Sequence, residues 1–169
     1  MIVRTLTVAA VLAAAVPAAA QTAAGPVQPT APIAINRNVF NGTLKGFLGP
    51  DEFILDQKLS NLAFTGFFGS TSGSAVTGYV YDPASMPSLR VGDVINLATG
   101  TAASAYDAMR TQLPAGSVVV APVVAVDAGT QQGVVCGFAT LRVEKIESRA
   151  NPKYIDTRLL ALDPATVGQ

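Results

Sequence analysis

Hydrophobic and polar positions alternate with a period of two along much of this chain, and glycine, proline and small polar residues cut the apolar runs short. That is the pattern of strands bounded by turns. Val39-Phe40 and Thr43-Leu44 flank Asn41-Gly42, a favoured type I′ pair, so Ile33 to Phe47 reads as a short hairpin. Asn41-Gly42-Thr43 is also an N-glycosylation acceptor pattern, with meaning only in a eukaryotic exporting host. Gly49-Pro50-Asp51 signals a turn, and Asp51-Glu52 can open a short helical turn before Phe53, Ile54 and Leu55. LAFTGFF, residues 62 to 68, is strand-like and aromatic. After the small-residue loop at 69 to 78, VTGYVYD sets Val76, Gly78 and Val80 against Thr77, Tyr79 and Tyr81, which predicts another strand. LRVGDVINL, residues 89 to 97, is β whether Gly92-Asp93 forms a bulge or a tight turn between two short strands.

One segment departs from the period of two. TAASAYDAMRTQL, residues 101 to 113, places Ala102, Ala105, Tyr106, Met109 and Leu113 on one helical face. Thr101 or Ser104 serves as N-cap, and Pro114 and Gly116 follow its end. This predicts a helix covering one side or one open end of the sheet. VVVAPVVAV, residues 118 to 126, is apolar at both parities and predicts a strand buried on both faces. Pro122 cannot donate to a ladder, so this strand is expected at an edge or with a bulge. In VVCGFATLRV, residues 134 to 143, Val135, Gly137, Ala139, Leu141 and Val143 share the expected core face. Cys136 and Phe138 share the other with Thr140, Arg142 and Glu144. That second face begins apolar and turns polar, so the 101 to 113 helix or a loop is expected to shelter Cys136. A last strand in residues 150 to 162 sets Ile155, Leu159 and Ala161 on one face. The whole predicts an all-β or β-dominated α+β domain, a β-sandwich or partly open barrel with one covering helix near residues 101–113.

The N-terminus follows a different pattern. Arg4, an apolar stretch from Leu6 to Val16, Pro17 and the run Ala18-Ala19-Ala20 make a secretory signal peptide over residues 1–20. Its apolar core of about a dozen residues is shorter than the roughly 20 a spanning helix needs. Residues 21–34 hold three prolines among small and polar residues, without charge, and predict a flexible linker. A single β-rich domain is expected over 35–163, with a disordered tail at 164–169. The implied location is exported: periplasmic, outer-surface or extracellular, with no membrane span after cleavage.

Composition narrows the chemistry. Lys plus Arg and Asp plus Glu are 11 each, with no basic stripe, which argues against a nucleic-acid partner. The chain has no histidine, which excludes Ser-His-Asp and Cys-His sites, and its single cysteine excludes a thiolate metal cage within one chain. No motif pairs a serine with Lys45, Lys58, Lys145 or Lys153. Asp51, Glu52, Asp82, Asp93 and Asp107 lack the aromatic subsites that attend sugar hydrolysis, and no calcium loop of alternating aspartates is present. No catalytic residue, cofactor or metal is therefore expected.

Phe64, Phe67, Phe68, Tyr79, Tyr81, Tyr106 and Met109 are the candidate contact residues. The aromatic segments at 64–68 and 79–81 serve the core or line a site for a small or glycan ligand. The Tyr106 and Met109 stripe serves the core or meets a partner. Cys136 is expected to be a packing thiol, with an intermolecular disulfide as the alternative, because Arg142 lies roughly 20 Å along an extended strand.

Residues 91 to 143 present, in order, VGDVINL, a helix-bearing spacer, VVVAPVVAV, a polar loop and VVCGFATLRV. This order resembles the C-terminal β domain of TadG-like proteins, pilus-assembly accessory proteins of the bacterial tight-adherence (Flp pilus) system. There, a strand opened by Gly-Asp precedes a hydrophobic strand containing proline and then a strand of the V-x-GFA-x-x-x-I type. The matching positions are Gly92, Asp93, Pro122, Gly137, Phe138 and Ala139, in a stretch covering about a third of the chain. Those proteins typically begin with a membrane-spanning pilin-like helix and carry further cysteines, unlike this chain. The resemblance implies a cell-envelope β domain with no known active site, whose partners are envelope or pilus-associated proteins.

Overall fold

The computed structural model of the chain describes residues 25–40, 52–56, 64–65, 67–68, 73–98, 103–126, 131–151 and 153–163. Its strands are β1 (Ala34–Asn36), β2 (Glu52–Asp56), β3 (Phe64–Thr65), β4 (Phe67–Phe68), β5 (Val94–Ala98), β6 (Val118–Val126), β7 (Gln132–Glu147) and β8 (Tyr154–Leu162). Two α-helices, α1 (Gly73–Tyr81) and α2 (Ala103–Gln112), complete a β-dominated α+β fold.

β7 is the organising strand. Along one edge it pairs with β6, and along the other with β8 and β5 placed end to end. The order runs β2-β8-β7-β6-β1-β3, with β4 paired to β5. Every pairing is antiparallel except β1 on β6. β2 and β3, the two ends of that order, approach one another, so the sheet curls without closing among the described residues.

Three register jumps decide which side chains meet. Opposite Val123 and Val124, β7 steps from Gly137 to Val135, leaving Cys136 as the extra residue. Opposite Thr157 and Asp156, it steps from Val143 to Lys145, leaving Glu144 extra. On β8, Leu160 is extra between Leu159 and Ala161. Each bulge inverts the in-out parity of its strand. Cys136, Ala139, Leu141, Val143 and Ile146 therefore share one core with Val76 and Val80 of α1 and with Tyr106 and Met109 of α2. Val135 and Phe138 join a second core on the other side, with Ala34, Met86, Leu89, Ile95, Leu97 and Val124. This corrects the expected division of VVCGFATLRV into two uninterrupted faces.

The helix expected over 101 to 113 corresponds to α2, with Ala105, Tyr106, Ala108 and Met109 buried and Leu113 packed beside them. The strand expected at VTGYVYD is instead α1, so two helices lie on the sheet. Val76 and Val80 stand four residues apart, a spacing that fits a period of 3.6 as well as one of two, and both are buried. α1 packs along α2, and the Thr77 and Ser104 hydroxyls lie 3.1 Å apart between them. Tertiary burial overrides the β-propensity of Val, Thr and Tyr here. Gly78 sits on the exposed side of α1, where an added Cβ would meet nothing within 4 Å. Gly78→Ala is expected to stabilise the fold by about 0.5–1 kcal/mol. A urea titration checks it, and no gain in midpoint would count against a helix here.

β6 is buried on both faces as expected, but it is not an edge strand. Val120 uses both backbone groups on Thr30: the Thr30 N–H donates to its carbonyl at 3.1 Å, and its own N–H donates to Thr30 Oγ1 at 2.8 Å. Pro122, two residues on, points the same way. Its missing N–H falls between that contact and the Ile35–Val123 pairing, beside residues 31–33, which are not strand.

The flexible linker expected over 21–34 does not hold for its described part. Pro29, Ala31, Pro32, Ile33 and Ala34 are buried, and Val27 and Leu89 exchange backbone hydrogen bonds of 2.8 and 2.9 Å. Residues 25–33 form a strap that packs Val27 against the second core and sends Ala31 and Ile33 into the first. The signal peptide, the Asn41-Gly42 turn and second arm of the expected hairpin, the turn at 49–51 and the tail at 164–169 lie outside the described residues. The hairpin's first arm is not a strand, since Arg37–Val39 form a 3-10 helix that ends at Phe40, and Glu52 opens β2 rather than a helical turn. No described helix is long and apolar enough to cross a membrane.

Candidate interaction surface

The Gly92-Asp93 element is a turn leading into β5. Gly92 has φ +96°, a conformation that side chains disfavour. Asp93 closes the turn twice: its N–H donates to the Arg90 carbonyl at 3.1 Å, and its Oδ2 accepts the Arg90 N–H at 2.7 Å. The turn is pinned to β7, since Gly92 N–H donates to Val135 O and Val135 N–H to Asp93 O, both at 2.8 Å.

This arrangement turns three valines outward. Val94 stands directly opposite Val134 across the β5–β7 ladder, and Val91 lies on the turn before it. They are 63%, 45% and 42% exposed. Directly opposed residues on one face have Cβ atoms about 5 Å apart, so Val94 and Val134 form one apolar surface. Beside them runs an open groove of about 370 Å³, lined by Pro87, Ser88, Leu89, Asp93, Val94, Ile95 and Asn96. Its polar side chains are already engaged. Ser88 donates to Gln28 Oε1 at 2.8 Å, Asn96 Oδ1 accepts from Gln132 at 3.2 Å, and Asp93 is held by its own turn.

The β7–β8 end of the sheet has a different surface. Glu144 Oε1 accepts from Arg142 at 2.8 Å and faces Arg158 at 3.6 Å, and Lys145 pairs with Glu147 at 3.6 Å. The Lys145 ammonium lies 5.8 Å over the Tyr154 ring. Tyr154 and then Glu147 raise the pKa of Lys145, and the Arg149 N–H that Glu147 accepts holds its carboxyl below the usual range. Exposed ion pairs of this kind are screened by water, contribute little to stability and keep the face hydrated.

Few of the candidate contact residues come together. Tyr106 and Met109 are fully buried in the first core and, as placed, present no surface to a partner. Tyr79 is half-buried against the second core, whereas Tyr81 is 62% exposed. Phe64 lies on β3, and Phe67 and Phe68 on β4; their side chains are outside the described residues. None of the described aromatic side chains lines the groove. Among the described residues no three His, Cys, Asp or Glu side chains gather as metal ligands. Sequence reasoning missed Val91, Val94 and Val134. The available signal was a valine at both parities of the 134–135 pair, just after the glycine that lets β5 approach.

Cys136 is 6% exposed, and its thiol donates to the Val123 carbonyl at 3.3 Å. It is more deeply sheltered than a thiol at the start of a half-covered face. Burial raises its pKa, and the Arg37 charge and nearby backbone hydrogen bonds offset this only in part. Because the folded pKa is raised, the neutral thiol's contribution is complete below the unfolded pKa of about 8.5 and is lost as pH rises through the folded value. Above pH ~9 the unfolding free energy should fall more steeply for the natural chain than for Cys136→Ala, by at most about 1.4 kcal/mol per pH unit. Parallel curves in urea titrations between neutral and alkaline pH would contradict this.

No known protein family, curated protein or solved structure matches the chain.

Proposed function

We propose that this chain is a non-enzymatic, exported protein of the bacterial cell envelope that acts through protein–protein contacts, in the assembly of pili or other surface appendages. The observation that carries the reading is the exposed valine cluster Val91, Val94 and Val134 at the Gly92-Asp93 turn. Gly92 and Asp93 are among the positions that resemble the TadG-like β domain, and here they build the turn that presents the valines. Clustered apolar surface beside a groove suits a protein partner with an apolar face. The signal-peptide pattern of residues 1–20 supports export. The second reading, a binding module for a small or glycan ligand, calls for aromatic side chains in a concave site. The groove holds none of the described candidates.

Affinity capture from bacterial envelope extracts tests the proposal. Envelope or appendage proteins should be retained by the natural chain, and retention should fall roughly tenfold with Val94→Asp, at a site where stability changes by only about 0.5 kcal/mol. Equal retention by both chains, or recovery of no envelope protein, would sink it.

A further inference from the structure

The N-terminal segment occupies a slot built entirely by distant parts of the chain. The Gln28 side chain donates to the Met86 carbonyl, 58 residues away, at 2.8 Å, and Thr30 meets Val120, 90 residues away. β1 lies between β6 and β3, with Ile35 opposite both Val123 and Phe64. Ala31, Ile33, Ile35 and Val39 enter the first core, while Ala34 enters the second with Val27 packed against it. Without this segment the β6 edge and both cores would be open.

The slot is specific in chemistry. It needs an extended segment whose backbone pairs with Leu89, a hydroxyl that accepts the Val120 N–H, an amide that bridges Met86 and Ser88, and buried apolar side chains that alternate between the two cores. Residues 25–40 supply that set, so the matching ligand is the same segment of another copy. Nothing local obliges it to come from its own chain. The β1–β6 pairing is parallel and cannot be a hairpin, and loop closure costs little more for a longer loop. Between Phe40 and Glu52 the 11 residues 41–51 have a covalent reach of up to about 40 Å, which spans to a neighbouring molecule.

We propose that residues 25–40 are an exchangeable strand, and that the slot between β6, β3 and the 83–89 segment takes this segment from a second copy of the chain. Swapping an identical element preserves every contact described above, so its cost is small and the association is governed by concentration. This inference goes beyond the envelope reading and does not depend on it, because the partner is the chain itself.

The test uses two forms of the chain without its signal peptide, one carrying Gln28→Cys and Cys136→Ala, the other Ser88→Cys and Cys136→Ala. Gln28 and Ser88 are exposed and touch at 2.8 Å, so neither change disturbs the core and the two sites meet wherever the strap docks. Each form has one thiol, so a 28–88 disulfide can join only two chains. Mixed, incubated at high concentration and oxidised, they should yield a linked dimer mapped to residues 28 and 88. Its yield should rise roughly tenfold for a tenfold rise in chain concentration below saturation. A single chain carrying both cysteines should close the same link internally when dilute. Light and isotopically heavy natural chains, compared by native mass spectrometry, give a readout free of cysteine and should form mixed dimers. Absence of the inter-chain link while the internal one forms would overturn the inference, as would mixed dimers that lack it. Either failure would leave envelope capture untouched.

Discussion

Leu141→Ala is expected to lower the unfolding free energy by about 3–4 kcal/mol, in the upper part of the range for a buried leucine. Leu141 is fully buried at the middle of β7, in register with Val119 of β6 and Leu159 of β8. Its core also holds Tyr106 and Met109 of α2. The two flanking strands are hydrogen-bonded to β7 on both edges, so the space left by the lost carbons cannot be closed by moving β7 inward. The cost then includes a cavity as well as lost transfer free energy. Leu160→Ala supplies the contrast: Leu160 is the bulged residue of β8, 48% exposed, and its truncation should change stability by only about 0.5 kcal/mol. Urea unfolding should show a displaced midpoint with an unchanged slope for the first variant and almost no change for the second. Equal effects would mean that the bulge assignment on β8 is mistaken.

That contrast also marks where the sequence was legible. Leu141 and Leu160 look alike in a pattern of apolar and polar positions, and only the register jump separates them. α2 could be read from sequence because Ala105, Tyr106 and Met109 coincide only at a helical period. α1 could not, because Val76 and Val80 satisfy both periods and the packing of α1 on α2 decides between them. The apolar runs of β6, β7 and β8 were visible, but a strand's alternation says nothing about which residue its neighbour will skip. Cys136 is that residue on β7, and the skip moves it into the core of Ala139 and Leu141, away from Phe138. The strap shows the opposite difficulty. Proline-rich, uncharged composition argues for a linker, and what orders residues 27–30 is a set of partners beyond residue 80 that no local window contains. At the candidate surface, the Gly92-Asp93 turn was open to sequence reasoning, whereas the meeting of Val94 with Val134 depends on β5 finding the free end of β7.

That meeting rests on one glycine, and Gly133→Val is expected to cost about 2–3 kcal/mol by overpacking. Gly133 is flanked on both edges, by Ile95 of β5 and Val126 of β6. A Cβ there would lie 3.0 Å from the Val124 Cβ, 3.3 Å from the Ala125 carbonyl oxygen and 3.3 Å from Leu97 Cδ1. Leu97 can rotate away, but the other two atoms are fixed to β6, whose backbone is held by β7 and β1. The strain must therefore be relieved on the β5 side, where three paired positions and the Gly92–Asp93 pins hold the strand. Hydrogen exchange should localise the loss. The Leu97 amide, bonded to Gln131 O, and the Val135 amide, bonded to Asp93 O, should exchange faster, while the Val143 amide, bonded to Ser117 O, keeps its protection. Envelope capture should fall in parallel, since displacing β5 separates Val94 from Val134. Uniform loss of protection across β7 would mean that β5 and the long β6–β7–β8 ladder open as one unit, and that the valine surface cannot be dismantled without the fold.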